Sequence, residues 1–593
     1  MVVTNESRKR TRSRGDRLGK QASATDAEPQ PTPAASAKQR AKRPEPPRVR
    51  GRTAVDRIRH LAALSDMAAN RARLRQLARQ VGDGADDAQR VTLVENAIAE
   101  CLDDTPGIAP RERWLACEAS CWALAWIART KRAGGSAGGL LERLVREARV
   151  AETDLRGGET RGATFVVTLA RLFADIEACR CLEATADVAL ADEIGRLVST
   201  DGGIGVAGGA AMVERVVRWT EARSVALATG PACWDGQTES RWATAAATAL
   251  RLLGSDGRVV TAPGCLPASF STTLLDAISR RAAPAGKPAR RTARALRGEA
   301  TADGRLVPRD LHDRSAAIAI LRSGWNRGGL RVLLEYRDAV PRLEIAIDDR
   351  VLFEGPWAWG VEQGGRSLEA EGPWTVSAWE SDDKASFLEL TAPLTGGMQL
   401  ERQVVLVPRD SILLLADAVT MRTEAGGQPD ARAELAYRGS LPLASGLEVD
   451  AAEETRELFV YDTSMRCLAL PLALPEWRCA ASPGGWEASD AGLTLRQRGR
   501  GGRLYAPVWL DFRPRRIGKP LTWRQLTVAD TRMILPRHQA AGFRVQCGRE
   551  QWLVYKSLDA PRNRSLLGCN VSADFLLGRI PQSGEVKRTI EIQ

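Results

Sequence analysis

The feature that most constrains this chain is a change in the period of its apolar residues part-way along. From about residue 53 to 282, apolar side chains recur at helical spacing in a background of Ala, Leu, Arg and Glu, with almost no strand-like alternation. Leu115, Cys121, Trp122, Leu124, Ala125 and Ile127 fit one buried helix, and further helical runs lie near 88–102, 165–182, 186–197, 212–227 and 238–253. Gly-rich breaks at 134–139 and 201–203 separate them. A series of amphipathic helices with short breaks predicts an array of antiparallel helix pairs. Beyond residue 309 the texture changes to short runs, among them 317–321, 330–336, 343–347, 351–353, 403–407, 412–415 and 504–511, separated by Gly, Asp, Pro or Asn. That pattern predicts an antiparallel β-sandwich. Asp348-Asp349 falls between two such runs and reads as the turn of a hairpin.

Between the two textures, residues 283–309 are rich in Ala, Pro, Gly, Arg and Thr and read as a linker. The expected organisation is an α+β multidomain chain: a disordered basic tail over 1–52, a helical domain over 53–282, the linker, and a β-sandwich over 310–593. Charge supports setting the tail apart. The 593-residue chain has a net charge of +12, yet residues 1–52 hold 14 Lys/Arg against 5 Asp/Glu, leaving 71 against 68 for the rest. The tail, with Arg8-Lys9-Arg10-Thr11-Arg12-Ser13-Arg14, reads as a solvated leader that offers a contact to a polyanion. The nearly neutral remainder argues against a direct nucleic-acid binder.

No basic stretch is followed by the apolar run of a secretory signal, and no segment approaches the roughly 20 apolar residues of a membrane span. The expectation is a soluble, cytoplasmic chain with no membrane partner. Eleven scattered cysteines fit free thiols in a reducing compartment. Cys117 with Cys121 and Cys179 with Cys181 lack a second ligand pair, so neither a metal nor another cofactor is expected. Gly203-Ile204-Gly205-Val206-Ala207-Gly208 matches the dinucleotide fingerprint in letters but follows a helix, not a strand, and reads as an interhelix loop. Arg498-Gly499-Arg500-Gly501-Gly502-Arg503 looks like an RNA-binding arginine-glycine segment, but it is single and lies between strands, as a hairpin loop would.

Candidate functional residues are few. Of three histidines, His60, His312 and His538, only His312 lies at the junction of the two domains. Tryptophan is abundant, at 16 residues. Trp357 and Trp359 share a strand face, while Trp234, Asp235, Arg241 and Trp242 gather an indole, a carboxylate and a guanidinium at one loop-helix junction.

The passage Ala317-Ile318-Ala319-Ile320-Leu321-Arg322-Ser323-Gly324-Trp325-Asn326, following a helical domain, resembles the heparinase II/III-like family of polysaccharide lyases. The strands at 400–407 and 412–419 are similar to that family too. The resemblance implies an (α/α) toroid before a β-sandwich, an anionic, uronate-containing polysaccharide as partner, and β-elimination as the ancestral chemistry. The family's histidine-rich stretch is replaced here by Asp338-Ala339-Val340-Pro341-Arg342-Leu343-Glu344, and no tyrosine precedes Tyr336. Elimination needs a group that neutralises the uronate, a base for the C5 proton and an acid for the leaving oxygen. The last two roles would fall to His312 and Tyr336, or to an acid such as Asp235. Trp234, Asp235, Arg241, Trp325, Trp357 and Trp359 are the expected substrate contacts. The reading is a catalytically impaired or strongly divergent lyase homologue. The alternative is a non-enzymatic intracellular scaffold that uses the tryptophan-bearing sandwich for protein contacts.

Overall fold

The computed structural model describes residues 51–593 apart from 83–87, 104–107, 131–135, 201, 207, 231–232, 255–267, 280–285, 300–303, 326–327, 348–349, 423–433, 517 and 561. The tail, the Asp348-Asp349 turn and Asn326 therefore lie outside the described residues. The first part is all helix: α1 (Gly51–Leu64), α2 (Ala68–Gly82), α3 (Ala88–Asp103), α4 (Pro110–Ile127), α5 (Ser136–Arg156), α6 (Ala163–Leu172), α7 (Glu177–Arg180), α8 (Glu183–Leu197), α9 (Gly209–Thr229), α10 (Gly236–Arg251), α11 (Ala268–Ser279) and α12 (Gly286–Leu296). Helix α1 packs on α4, α4 on α6, α6 on α9, α9 on α11, and α11 returns to α1, so five helices close an inner ring. The most apolar helices belong to this ring: α6 buries every residue from Ala163 to Leu172, and α4 is buried almost throughout from Trp114 to Ile127. A helix apolar all round must be enclosed on all sides. The amphipathic α2, α3, α5, α8, α10 and α12 supply that enclosure with one buried stripe each, as in Leu140, Leu144, Ala148, Ala151 and Leu155 of α5. None of the described helices is long and apolar enough to cross a membrane.

Two expectations need correction here. The run 165–182 is broken after Leu172 into α6 and the short α7. The expected linker 283–309 contains α12, whose Ala289, Thr292, Ala293 and Leu296 are buried at helical spacing against α10 and α11. Its surface lysine, proline and arginines hide that stripe in the composition.

The sheet domain opens with a five-stranded antiparallel sheet in sequence order, β1 (Leu311–Asp313), β2 (Ile318–Arg322), β3 (Leu330–Glu335), β4 (Arg342–Ile347) and β5 (Arg350–Pro356). The two faces of β2 enter different cores. Ile318 and Ile320 join the helical domain's core, together with Ala316, Trp325 and Leu333, whereas Ala319 and Leu321 join that of the sheets. Burial on both faces explains the uninterrupted apolar run of β2. An eight-stranded sheet lies beneath, centred on the strands 398–407, 412–421 and 504–511. Alternation is strict here too: Val404, Leu406, Leu413 and Leu415 face the core shared with the first sheet, while Val405, Val407, Ile412 and Leu414 face a further five-stranded sheet formed by 521–526, 540–547, 550–557, 575–579 and 587–592. The expected helical domain followed by packed antiparallel sheets is present, with an additional sheet layer stacked on the first two.

Candidate functional site

The helical and sheet domains meet where two short connections converge. His312 on β1 and Tyr336, immediately after β3, come together with Nε2 and Oη 2.7 Å apart. The neighbours of both residues tie the pair to the helical domain. Asp313 accepts from the backbone N–H of Ile204 at 2.7 Å, and Glu335 accepts from that of Gly209, the first residue of α9, at 2.8 Å. The dinucleotide-like glycine run is therefore the α8–α9 loop, and it serves as a docking segment for the sheet.

Tyr336 is buried among core side chains and its hydroxyl is engaged by His312. The half-buried His312 also lies against Trp379, ring centroids 5.1 Å apart. Desolvation, reinforced by Arg314, lowers the imidazole pKa to about 4. Desolvation, with Asp313 adding to it, pushes the phenol up to about 12. At neutral pH both groups are uncharged, the imidazole is a weak base and the phenol a weak acid.

Beside this junction the helical domain holds a cavity of about 270 Å³, lined from α4, α6, α8, α9 and the loop before α6. Four arginines contribute to its wall, Arg111, Arg161, Arg215 and Arg218. Ala211, Glu214, Arg215 and Arg218 come from the first half of α9, the helix that Glu335 meets. Carboxylates hold most of the guanidiniums in place. Arg111 bonds Glu214 at 2.7 Å, and Arg215 bonds the buried Glu193 at 2.6 Å. Glu193 also takes Thr160 Oγ1 at 2.5 Å and Trp219 Nε1 at 2.7 Å. Arg218 bridges Glu118 at 2.5 Å and Glu221 at 2.7 Å, and Glu221 reaches His60 Nε2 at 2.7 Å. His60, in the second half of α1, therefore stands behind the cavity wall. Arg161 is the most exposed of the four, and its nearest carboxylate, Glu159, is 3.8 Å away.

The expected substrate contacts are dispersed. Trp325 is buried at the junction, its Nε1–H donating to Val307 O at 3.0 Å and its ring covered by the Arg322 guanidinium at 4.5 Å. Asp235 is the N-cap of α10, accepting from Thr238 N at 2.7 Å, and that bond holds its carboxyl below the usual range. Arg241 bonds Gly195 O at 2.5 Å, and Trp234 is buried. Trp357 is interior, with the fully buried Arg402 guanidinium 3.9 Å above its ring, and Trp359 packs half-buried against the same core. Arg402 lies inside the sheet domain with the ring of Trp357 and, at 5.3 Å, that of Trp374 against its guanidinium, and it bonds Asp417 at 2.8 and 2.7 Å and Trp357 O at 2.7 Å.

No protein-family model and no curated protein matches this sequence. Solved structures do match in fold. The chain superposes on a crystal structure of a heparinase III with a TM-score of 0.53 at 12% identity, covering 82% of each chain. A second heparinase III gives 0.52 at 9% identity, over 83% of this chain and 81% of the other. The fold is like that of these heparinases: a helical N-terminal domain followed by a C-terminal sheet domain.

Proposed function

We propose that this chain is a strongly divergent, catalytically impaired polysaccharide lyase homologue that binds an anionic, uronate-containing glycan at the junction of its helical and sheet domains. The observation that carries the reading is the arginine-walled cavity next to the contacts between α9 and β3. Its guanidiniums are pre-positioned by carboxylates, and Arg161 has capacity to spare for a carboxylate or sulfate. Glu193 and Glu214 would accept from sugar hydroxyls. The impairment follows from the His312–Tyr336 pair, which satisfies itself and keeps the phenol out of reach.

Binding of a fluorescent uronate oligosaccharide to the full chain tests this. Arg161→Gln should weaken it about tenfold, the scale of one charge-assisted contact. Unchanged binding in that variant would remove the cavity from the account.

A second reading is favoured by one observation. The junction around Trp325, Ile318, Ile320 and Leu333 is apolar and filled, as a rigid non-enzymatic interaction protein would have it. Under that reading no uronate oligosaccharide binds at all.

A further inference from the structure

The strands Gly484–Ser489, Gly492–Arg500, Glu434–Pro442, Ala358–Gln363 and Arg366–Leu368 form another antiparallel sheet, in that order. Leu435, Tyr437, Leu493 and Leu495 point from it into the core, so period two sends Arg438, Arg496, Arg498 and Arg500 to the opposite face. Arg438 stands directly across from Arg496 in the register. Like charges placed opposite each other destabilise a sheet. Glu487 relieves Arg496 at 2.6 Å, and Glu434 stands across from Arg500 in the register, but among the described residues none of Arg438, Arg498 and Arg500 has a carboxylate within ion-pair distance. The arginine-glycine motif thus lies partly in a strand and adds its cations to a patterned face. Its turn is fixed by Gly501, at φ +101°, against which the His538 ring packs so closely that a Cβ would lie 2.3 Å from it.

This face borders a hollow of about 670 Å³. It adjoins, through Pro483, Gln497 and Arg498, a second of about 210 Å³ that adds Arg500, Arg503, Arg537 and His538 and no carboxylate. Through Arg537 and Gln525 that hollow meets a third of about 280 Å³, where Trp477 is 44% exposed. Gln497, on the core face of its strand with Leu493 and Leu495, gives its amide to Tyr505 O at 3.0 Å.

We propose that this groove is a second binding surface, which holds a stretch of anionic polysaccharide. Arg438, Arg498 and Arg500 meet its carboxylates or sulfates, and the Trp477 indole stacks on a ring. The class of ligand rests on the glycan reading above, but the site does not depend on the helical-domain cavity. A single strand of nucleic acid fits less well, because such surfaces stack successive bases on several aromatic side chains and this groove exposes one indole.

The test uses the full chain, a fluorescein-labelled heparin oligosaccharide and an oligothymidylate of equal charge, with anisotropy followed over a salt series. The basic tail is identical in every variant, so differences report on the folded body. Combined Arg438→Gln, Arg498→Gln and Arg500→Gln should weaken heparin binding about tenfold or more and flatten its salt dependence. Trp477→Ala, at an exposed position, should weaken it at every salt concentration. Loss in these variants with Arg161→Gln unaffected would support the groove and sink the cavity; loss only in Arg161→Gln would do the reverse. Oligothymidylate binding as tight as heparin, with the same dependence on Trp477 and the arginines, would overturn the glycan assignment.

Discussion

Replacing Trp325 by Ala should damage the junction more than any other single indole truncation near it. The ring lies in the helical core while its residue belongs to the sheet domain, so its burial couples the two. Loss of a buried aromatic ordinarily costs about 3 to 5 kcal/mol. Two local features push toward the upper end. Arg322 would lose the ring face 4.5 Å from its guanidinium, a contact worth about 1 to 2 kcal/mol when desolvated. Arg322 is itself buried, its partners being the carbonyls of Arg251 and Leu253 at 2.8 Å, and burial with Arg331 nearby already lowers its pKa. Val307 O would also lose its indole donor. Trp325→Phe separates these contributions: it keeps the ring and removes the bond to Val307, for about 1 to 3 kcal/mol. Urea unfolding followed by far-ultraviolet circular dichroism, with limited proteolysis between 297 and 310, reads both stability and cohesion. A loss below about 1 kcal/mol for Trp325→Ala, with unchanged proteolysis, would refute the argument.

Other outcomes follow from the same structure. Arg402→Met strands the buried Asp417 with Tyr437 as its remaining side-chain donor, and should cost about 3 to 5 kcal/mol in denaturant unfolding; a neutral result would mean that the Arg402–Asp417 pair does not hold the sheet domain together. His312 takes up its proton near 6.5 when unfolded and near 4 when folded, so its contribution to stability should be lost as pH falls through that window and be constant above it. His312→Gln should remove that part of the pH dependence, and an identical stability profile for parent and variant would contradict the assignment. Removing residues 1–50, just before α1, should leave the melting temperature unchanged within error, whereas a clear fall would show that the tail docks on the body.

Much of this was readable in the sequence because it depends on local period. The helical texture up to 282 and the alternating runs after 309 yielded the two domains, and the double-faced burial of β2 lies behind the passage that carries the family resemblance. The meeting of His312 with Tyr336 needed only the antiparallel pairing of β2 with its two neighbours. What escaped depends on distant pairings. The cavity draws on α4, α6, α8 and α9, and no single stretch contains enough of it to form a motif. Trp357 and Trp359 read as one strand face, but the strand breaks at Trp357, between 350–356 and 358–363, and the buried partner of its ring, Arg402, is 45 residues away. The arginine-glycine segment was visible as a motif, but its relation to Arg438 appears only once the register is known.

The central claim is best tested by incubating the full chain with a panel of uronate-containing polysaccharides, while following binding and the ultraviolet absorbance of the unsaturated ends that β-elimination leaves. The account predicts binding to at least one member, weakened by Arg161→Gln, with no rise in absorbance. Robust product formation, abolished by His312→Gln or Tyr336→Phe, would contradict it and show that the buried pair opens to act on substrate.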